Sequence, residues 1–287
     1  MSLPASAELA EDVADAMQSL GALAVTITPV DGYDILEPMP GKQPFALMNV
    51  VTGLYESDAE AAHLSTAILR ALGNTVHAEP SFTTLADADW EQAWRQRAVA
   101  REFGEGLWVL PLDAPLPPHA RGVVRLDPGL AFGTGAHPTT VLCLQWLAGL
   151  DLGGRTVIDY GCGSGILAIA AAHLGAVAVY GVDHDPQAVL ATGENARLNK
   201  VAHSVHVTAQ PPGEVQVLVA NILANALHEL APLFAELSAP GGLIGLSGIL
   251  VEQAARLSAR YSAAFEMNPP VELDGWILLT GQRRDRA

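Results

Sequence analysis

The chain has 287 residues, 50% of them hydrophobic, and its 31 acidic residues outnumber 15 Lys and Arg, which gives a formal charge of −16. Phosphate contacts need clustered Lys and Arg, so this charge argues against a general nucleic-acid binder, and no direct nucleic-acid partner is expected. No apolar run reaches the length that spans a bilayer, and no secretory leader opens the chain, so we expect a cytoplasmic protein without a membrane partner. The length predicts two domains.

The first predicted domain, residues 1–85, is a small α+β unit. Hydrophobic periodicity indicates five elements in this order: a helix over 7–20, strands over 24–28 and 45–55, a helix over 60–72 and an extended piece over 76–84. This order is that of a ferredoxin-like domain without its first strand. Residues 1–6 are few and are interrupted by Pro4, so we expect either that the chain has been trimmed or that the small sheet is one strand short.

A linker helix over residues 86–102 is predicted between the two domains. It is amphipathic, and Trp90 and Trp94 lie on the same face of it. An aromatic pair at this spacing is typical of packing rather than of a binding cage.

The second predicted domain, residues 103–287, opens with a strand over 107–111 and includes a glycine-rich loop over 126–140. From Thr156 onward, β-prone runs alternate with helices, which predicts an α/β fold with a mostly parallel, doubly wound sheet. Seven strands are expected, and the last two are predicted to form a hairpin over 265–280.

The stretch Asp159–Gly165 follows an apolar strand and precedes a buried helix. Its pattern is D-x-G-x-G-x-G, and glycines in such a turn let the backbone approach a ligand while the helix start offers free N–H donors. The next strand ends at Asp183, whose carboxylate can accept hydrogen bonds from both hydroxyls of a ribose. This spacing fits dinucleotides and adenosyl cofactors alike, but a nicotinamide-type G-x-G-x-x-G would need glycine where Ile166 stands. The turn is similar to the first motif of class I S-adenosylmethionine-dependent methyltransferases.

Other segments carry a more specific pattern. They are residues 127–135 with 137–140, 157–170, 181–188, 219–224 and 242–250. Together they resemble the methyltransferases that modify ribosomal protein L11 of the bacterial large subunit. The FGTG-HPTT loop and the ANILA segment are the most specific parts, because the glycine motifs are shared by all class I methyltransferases.

The resemblance implies a fold, a reaction and a partner. It implies a class I methyltransferase Rossmann-like seven-stranded sheet that transfers methyl groups from S-adenosylmethionine. The acceptors would be the α-amino group and the lysine side chains of ribosomal protein L11, free or on the large subunit. In that family the small first domain recognises the ribosomal protein and the second domain carries the chemistry.

The resemblance also implies site residues by motif position. Asn221 is the expected catalytic residue, because its side-chain oxygen can accept N–H bonds from the incoming amine, although a helix N-cap would explain it as well. Thr140 would hold the methionine end of the cofactor, although capping alone would also explain a threonine there. Asp159 is expected to stabilise the turn rather than act as a base, and no metal site is expected, since His137 has no second ligand nearby. The expected cofactor contacts are Phe132, Thr139, Thr140, Asp159, Gly161, Gly163, Asp183 and Asn221.

Three other functions stay open. One is a class I methyltransferase that acts on RNA or a small molecule, for which a basic domain is missing in the RNA case. Another is a cofactor-binding ribosome assembly factor without turnover, which replacement of Asn221 would separate from an enzyme. The last is a nicotinamide oxidoreductase, which the glycine turn disfavours.

Overall fold

The computed structural model describes residues 1–30, 46–56, 60–73, 78–84, 100–104, 106–125, 135–208 and 213–285. The chain divides into two compact units, Met1–Ala88 and Asp89–Ala287. The predicted linker helix lies outside the described residues as far as residue 99, and Arg101 already begins a strand of the second unit. In the described part of the chain, no helix is long and apolar enough to cross a membrane.

In its described residues, the first unit contains a three-stranded antiparallel sheet and two helices. Its elements are β1 (Ser2–Ser6), α1 (Ala10–Ser19), β2 (Ala24–Pro29), β3 (Met48–Leu54) and α2 (Ala61–Leu72). The strand order is β1-β3-β2. Leu3 and Val51 point from the strands into one hydrophobic core with Met17 of α1 and Ile68 of α2. Each strand and helix therefore buries one face, as the periods of 2 and 3.6 predict.

The expectation that the small sheet is one strand short is wrong, because β1 pairs antiparallel with β3. Gly53 N donates to Met1 O over 2.8 Å, so the ladder bonds of β1 come from its odd-numbered positions. The nitrogen of Pro4 therefore points away from β3. A missing N–H on that side removes no bond from the ladder, and a proline is tolerated there.

The predicted extended piece over 76–84 is reduced, in its described part, to a single bridge. Ser81 exchanges two backbone hydrogen bonds with Ser2, over 2.8 and 2.9 Å, on the side of β1 away from β3. Residues 82–84 form no further ladder.

A second small sheet opens the second unit. Its strands are β4 (Arg101–Phe103), β5 (Leu107–Leu110) and β6 (Gly122–Arg125), in the order β4-β5-β6. The strand predicted over 107–111 is confirmed as β5. The other two strands are too short for a period to be recognised in the sequence, and they form because β5 offers both of its edges.

The main sheet of the second unit confirms the α/β expectation. Within the described residues its strands are β7 (Thr156–Tyr160), β8 (Ala178–Val182), β9 (Val205–Thr208), β10 (Val215–Asn221), β11 (Ser238–Leu250), β12 (Phe265–Met267), β13 (Val271–Leu273) and β14 (Trp276–Arg283). Their order is β12-β14-β11-β10-β7-β8-β9, and β13 also pairs with β14. Strands β7 to β11 run parallel, whereas β14 is antiparallel to its neighbours.

Helices cover both faces of this sheet. They are α3 (Pro138–Ala148), α4 (Ile166–His173), α5 (Pro186–Leu198), α6 (Ala224–Leu237) and α7 (Val251–Tyr261). Along β10, Val217 and Val219 join the core with α3 and α4, while Leu218 and Ala220 join the core with α6 and α7. Because β10 is buried on both faces between residues 217 and 220, this part of the strand is a continuous apolar run in the sequence.

The end of the chain departs from the expected hairpin over 265–280. Three strands form there instead of two, so the main sheet has eight strands in the described part of the chain rather than seven. Asp274 and Gly275 both have positive φ, 50° and 80°, as a type I′ hairpin turn requires. This Asp-Gly pair reverses the chain between β13 and β14, and it is the local signal for the additional strand.

Candidate functional site

Polar side chains gather at the carboxyl edge of the parallel strands. β7 lies between β8 and β10, and Asp159 is in register with Gly181 of β8 and Val219 of β10. The side chains of Asp159, Asp183 and Asn221 therefore follow one another along this edge. Open α/β sheets bind their ligands at the same place.

The glycine turn after β7 is bonded to the end of β8. Gly161 and Cys162 donate their N–H groups to Val182 O over 2.7 and 3.1 Å. Gly163 N donates to Asp183 Oδ2 over 3.0 Å. The turn and the carboxylate, which sequence spacing only related to each other, are thus in direct contact.

Two glycines of the turn are required for steric reasons. Gly161 and Gly165 have φ values of 78° and 79°, in the left-handed region that favours glycine. A Cβ on Gly161 would collide with Cγ2 of Ile222, and a Cβ on Gly165 would lie 2.8 Å from Cγ2 of Thr192. Ile222 and Thr192 therefore occupy the space where side chains at these two positions would lie. The absence of side chains on the glycines also keeps the backbone of the turn accessible to a ligand.

Asp183 is held in place by two backbone donors. Its side chain is 9% exposed, Oδ2 accepts from Gly163, and Oδ1 accepts from Asp185 N over 3.0 Å. His184 Nδ1 lies 3.6 Å from Oδ1, but the imidazole is fully exposed. Each carboxylate oxygen keeps a lone pair for another donor, which is what two vicinal hydroxyls need.

Asp159 is buried to 1% exposure beneath the turn. Oδ2 accepts from Ala168 N in the first turn of α4 over 2.9 Å, whereas Oδ1 has no partner. Burial raises the pKa of Asp159 to about 7; the Ala168 bond opposes the shift, and the nearby charge of Asp183 adds to it. The hydrogen bond from Ala168 agrees with the expected turn-stabilising role of Asp159. That role does not explain why Oδ1 is buried without a partner.

The start of α3 places Thr140 differently from a helix cap. His137 is the N-cap, and its Nδ1 accepts from Thr139 N over 3.3 Å and lies 2.7 Å from Thr139 Oγ1. Pro138 occupies the first helical position, where a missing N–H costs nothing. Because His137 caps the helix, the hydroxyl of Thr140 is left for another partner.

That partner is Asn221, 81 residues away in sequence. Nδ2 of Asn221 donates to Thr140 Oγ1 over 3.3 Å. Asn221 is not a helix cap, because α6 begins after Leu223, which makes no side-chain cap. The amide is thereby oriented with its nitrogen on Thr140, and no partner among the described residues occupies its oxygen.

The backbone that follows Asn221 is clamped by two glycines. Ile222 presses its side chain onto Gly161, and its carbonyl group lies against Gly248 of β11. Gly248 has a φ of 85°, and a Cβ there would collide with the Ile222 oxygen and lie 2.7 Å from its carbonyl carbon. Neither Ile222 nor Gly248 was singled out as a site residue in the sequence, because their contact joins two strands that are distant along the chain.

The remaining expected site residues divide into two groups. Thr139 is buried, but its hydroxyl faces His137, and its role toward a cofactor stays a prediction. Phe132 lies outside the described residues. Among the residues that the structure describes, no group of three or more His, Cys, Asp or Glu side chains could hold a metal ion.

His137 has a further neighbour that the sequence did not indicate. Its ring meets Trp276, at the start of β14, edge to face with centroids 4.8 Å apart. Burial lowers the pKa of His137. A neutral imidazole is also what the cap needs, because Nδ1 must accept from Thr139.

The chain is similar to known proteins over nearly its whole length. The family described as ribosomal protein L11 methyltransferase (PrmA) matches residues 1–284. A ribosomal protein L11 methyltransferase of Sodalis glossinidius (strain morsitans) is 44% identical over 292 aligned positions, which cover 99% of this chain and 98% of that protein. Its counterpart in Methylococcus capsulatus is 46% identical over 282 positions and 96% of each chain.

A solved structure points the same way. A ribosomal protein L11 methylase from Lactobacillus delbrueckii subsp. bulgaricus superposes with a TM-score of 0.59 at 31% identity, over 65% of this chain and 99% of that one. The match of one family over nearly the whole chain, together with relatives of this identity, shows that the chain belongs to the ribosomal protein L11 methyltransferase family.

Proposed function

We propose that this chain transfers methyl groups from S-adenosylmethionine to the α-amino group and the lysine side chains of ribosomal protein L11. Membership of the family makes it an S-adenosylmethionine-dependent protein methyltransferase. The observation that carries the residue assignment is the hydrogen bond from Asn221 to Thr140, which leaves the Asn221 oxygen as an acceptor at the carboxyl edge of the sheet.

The residues at this edge fit the parts of the cofactor. Asp183 would hold the ribose, since each of its oxygens has a lone pair left beside one backbone donor. The turn from Gly161 to Gly165 would lie against the cofactor, and Thr140 would contact its methionine end. When bound, S-adenosylmethionine supplies an electrophilic methyl group on a positively charged sulfonium.

The contribution of the protein to transfer is mainly alignment. Nitrogen, methyl carbon and sulfur must lie in one line, and holding reactants in place can contribute several kcal/mol. Asn221 would accept an N–H of the incoming amine and so direct its lone pair. The contacts of Ile222 with Gly161 and Gly248 support this role, because they restrain the backbone next to Asn221.

The amine must be neutral before it can attack. From reference pKa values, neutralising an α-amino group at pH 7 costs roughly 1 kcal/mol, and neutralising a lysine costs about 4 to 5 kcal/mol. Lysine acceptors therefore need more desolvation from the site. Asp159 is buried and bonded to Ala168, so we assign the proton of the amine to water rather than to this carboxylate.

The first unit is the proposed site of substrate recognition. We assign residues 1–85 to a ferredoxin-like recognition domain and residues 103–287 to the transfer domain, with residues 86–102 as the linker. The bridge from Ser2 to Ser81 supports the ferredoxin-like order, because it adds a fourth position beside β1. On the face of β3 opposite the core, Met48, Thr52 and Leu54 are exposed and would be available to a protein partner.

The charge of the chain supports a protein rather than a nucleic-acid substrate. An excess of acidic residues attracts a basic protein and repels phosphate. Action in the cytoplasm, on the free ribosomal protein or on the assembled large subunit without direct RNA contact, belongs to the same proposal.

Intact-mass analysis of ribosomal protein L11 tests the proposal. Ribosomal protein L11 is incubated with S-adenosylmethionine and one of three forms of this chain: the wild type, Asn221→Ala or Asn268→Ala. Asn268→Ala is the matched control. Asn268 also donates to the hydroxyl of a threonine, over 3.0 Å, but this threonine is Thr280 on the antiparallel strand β14. We expect mass gains in steps of about one methylene from the wild type and the control, and at least about a hundredfold slower gain from Asn221→Ala.

Other outcomes would favour the competing functions. Cofactor binding without any mass gain on ribosomal protein L11 would contradict the proposed substrate. Methyl transfer to RNA or to a small molecule under the same conditions would replace it. Binding of ribosomal protein L11 that is equal in wild type and Asn221→Ala, with no transfer by either, would favour an assembly factor.

A further inference from the structure

The carboxyl group of Asp159 is only half satisfied by the protein. It is 1% exposed, one oxygen accepts from Ala168 N, and the other oxygen is buried without a partner. A buried carboxylate that lacks a second hydrogen-bond donor is unfavourable, so Asp159 lowers the free energy of unfolding. The mechanism of methyl transfer described above does not use it.

The groups around Asp159 do not compensate its charge. Electrostatic interactions connect it with Asp183 at the end of β8, with Cys143 on α3 and with Cys162 in the turn. Burial raises the pKa of both thiols, that of Cys162 to about 12, so neither is ionised at neutral pH. Within the described residues no cationic side chain contributes to the shift at Asp159. The charged side chain that does contribute is Asp183, whose negative charge raises the pKa of Asp159 further.

The two ligands of this edge differ in charge. S-adenosylmethionine carries a positive sulfonium, and its demethylated product is a neutral thioether. A nearby positive charge favours the ionised form of a carboxyl group, and its removal favours the protonated form. Asp159 is the penultimate residue of β7, which leads directly into the turn that would hold either ligand.

We infer that Asp159 distinguishes the methyl donor from its product by charge: the carboxyl group is ionised with the donor bound and protonated with the product bound. Asp159 is therefore a specificity-determining residue that favours donor over product. This assignment rests on the cofactor site proposed above and not on the identity of the methyl acceptor. Because burial raises the pKa of the carboxyl group in the free protein, donor binding near neutral pH releases protons to solvent and product binding takes protons up.

Isothermal titration calorimetry measures this proton directly. Donor and product are titrated at pH 7 into the full chain in buffers of different ionisation enthalpy, for the wild type, Asp159→Asn and Asp151→Asn. Asparagine at 159 can still accept from Ala168 N, and Asp151 is an exposed carboxylate whose bond to Gly153 N an asparagine can also make. The amine of each ligand titrates equally in all three proteins, so it cancels when the proteins are compared.

We expect the wild type and Asp151→Asn to release more protons than Asp159→Asn when the donor binds, and to take up more protons than Asp159→Asn when the product binds. The preference of the wild type for donor over product should also fall about tenfold from pH 8 to pH 5.5, relative to Asp159→Asn. An equal proton release by wild type and Asp159→Asn with the donor would overturn the inference.

A second measurement needs only the wild type. The infrared difference spectrum between the product and donor complexes should contain the carbonyl stretch of a protonated carboxylic acid on the product side alone. A stretch in both complexes, or in neither, would overturn the inference even if Asp159→Asn did not fold. Mass gain on ribosomal protein L11 is scored separately, so a wrong substrate and a wrong role for Asp159 give different results.

Discussion

At the scale of single residues, the orientation of Asn221 depends on contacts that lie on other strands. Its amide is turned by Thr140 of α3, and the peptide after it is wedged against Gly248 of β11. Thr140 supplies a hydrogen bond, whereas Gly248 supplies only the absence of a side chain. A glycine that acts by leaving space is as necessary for the site as a polar residue, but it carries no chemistry by which a sequence would reveal it.

Gly248→Ala should separate alignment from cofactor binding. The new Cβ would collide with the Ile222 carbonyl and displace Asn221, and a misplacement of about 1 Å can lower a rate about a hundredfold. We therefore expect kcat to fall by about that factor, with the Kd for S-adenosylmethionine changed much less, because the new Cβ meets Ile222 and not Asp183. Single-turnover methylation and calorimetry measure the two quantities.

Gly154→Ala is the matched control for this prediction. Gly154 also has a positive φ, 72°, but a Cβ there would meet no atom within 4 Å. Both variants therefore carry the strain of a left-handed alanine, and only one displaces a neighbour. Equal loss of kcat in the two would show that backbone strain, and not contact with Ile222, limits transfer.

At the scale of elements, the start of α3 combines a cap with a titratable group. Nδ1 of His137 accepts from Thr139, the ring packs against Trp276, and burial lowers the pKa of the ring, which favours its neutral form. Protonation would convert the acceptor into a donor and break the cap. Since α3 also carries Thr140, the cap and the site share one helix turn.

This arrangement predicts a pH dependence of the free energy of unfolding. The pKa of His137 is lowered in the folded state, so below about 6.5 the unfolded chain binds more protons and the stability falls as the pH decreases. Asparagine is a good N-cap and does not titrate. We expect His137→Asn to match the wild type at pH 8 within about 1 kcal/mol and to lose less stability between pH 7 and pH 5. Urea unfolding at several pH values measures the difference.

The titration of Asp159 changes the free energy of unfolding with pH in the direction opposite to that of His137. Its contribution must therefore be removed before the effect of His137 can be measured. Its pKa is raised to about 7, so the folded chain binds more protons between its unfolded pKa and about 7, and this contribution to stability is lost as the pH rises through that range. Both proteins contain Asp159, so the difference between them isolates His137. Parallel pH profiles for the two proteins would contradict the proposed cap.

At the scale of the whole molecule, net charge and substrate are linked. A formal charge of −16 attracts a basic protein over a distance that salt shortens, since the Debye length falls from about 10 Å at 0.1 M to about 3 Å at 1 M. We expect KM for ribosomal protein L11 to rise about 10-fold between 0.05 and 0.5 M KCl, because electrostatic steering raises association rates by roughly 10-fold or more at low salt. The Kd for S-adenosylmethionine, measured in the same buffers, is the internal control, and an equal change in both would contradict steering of the protein substrate.

Much of the fold could be predicted because its signals are local. The alternation of apolar runs and helices from Thr156 onward marks the α/β sheet, and the D-x-G-x-G-x-G turn marks the ligand edge. The short strands are harder to predict from the sequence: Pro4 interrupts the run that forms β1, and β13 is indicated locally by the Asp274-Gly275 turn alone, which does not define its length. For β1 the deciding fact is which edge of the strand pairs, and that depends on β3, about 50 residues away.

The sequence by itself determined the cofactor class and the family, because a tight glycine turn, a carboxylate at the next strand end and the FGTG-HPTT and ANILA segments are all readable within short stretches. Only the tertiary structure decided that Thr140 turns the amide of Asn221, that Gly248 wedges the following peptide and that one oxygen of Asp159 is buried without a donor. The physical reason is the separation along the chain over which each effect acts. Backbone geometry and periodicity act between neighbours, whereas packing and desolvation depend on which distant elements arrive at the same edge of the sheet.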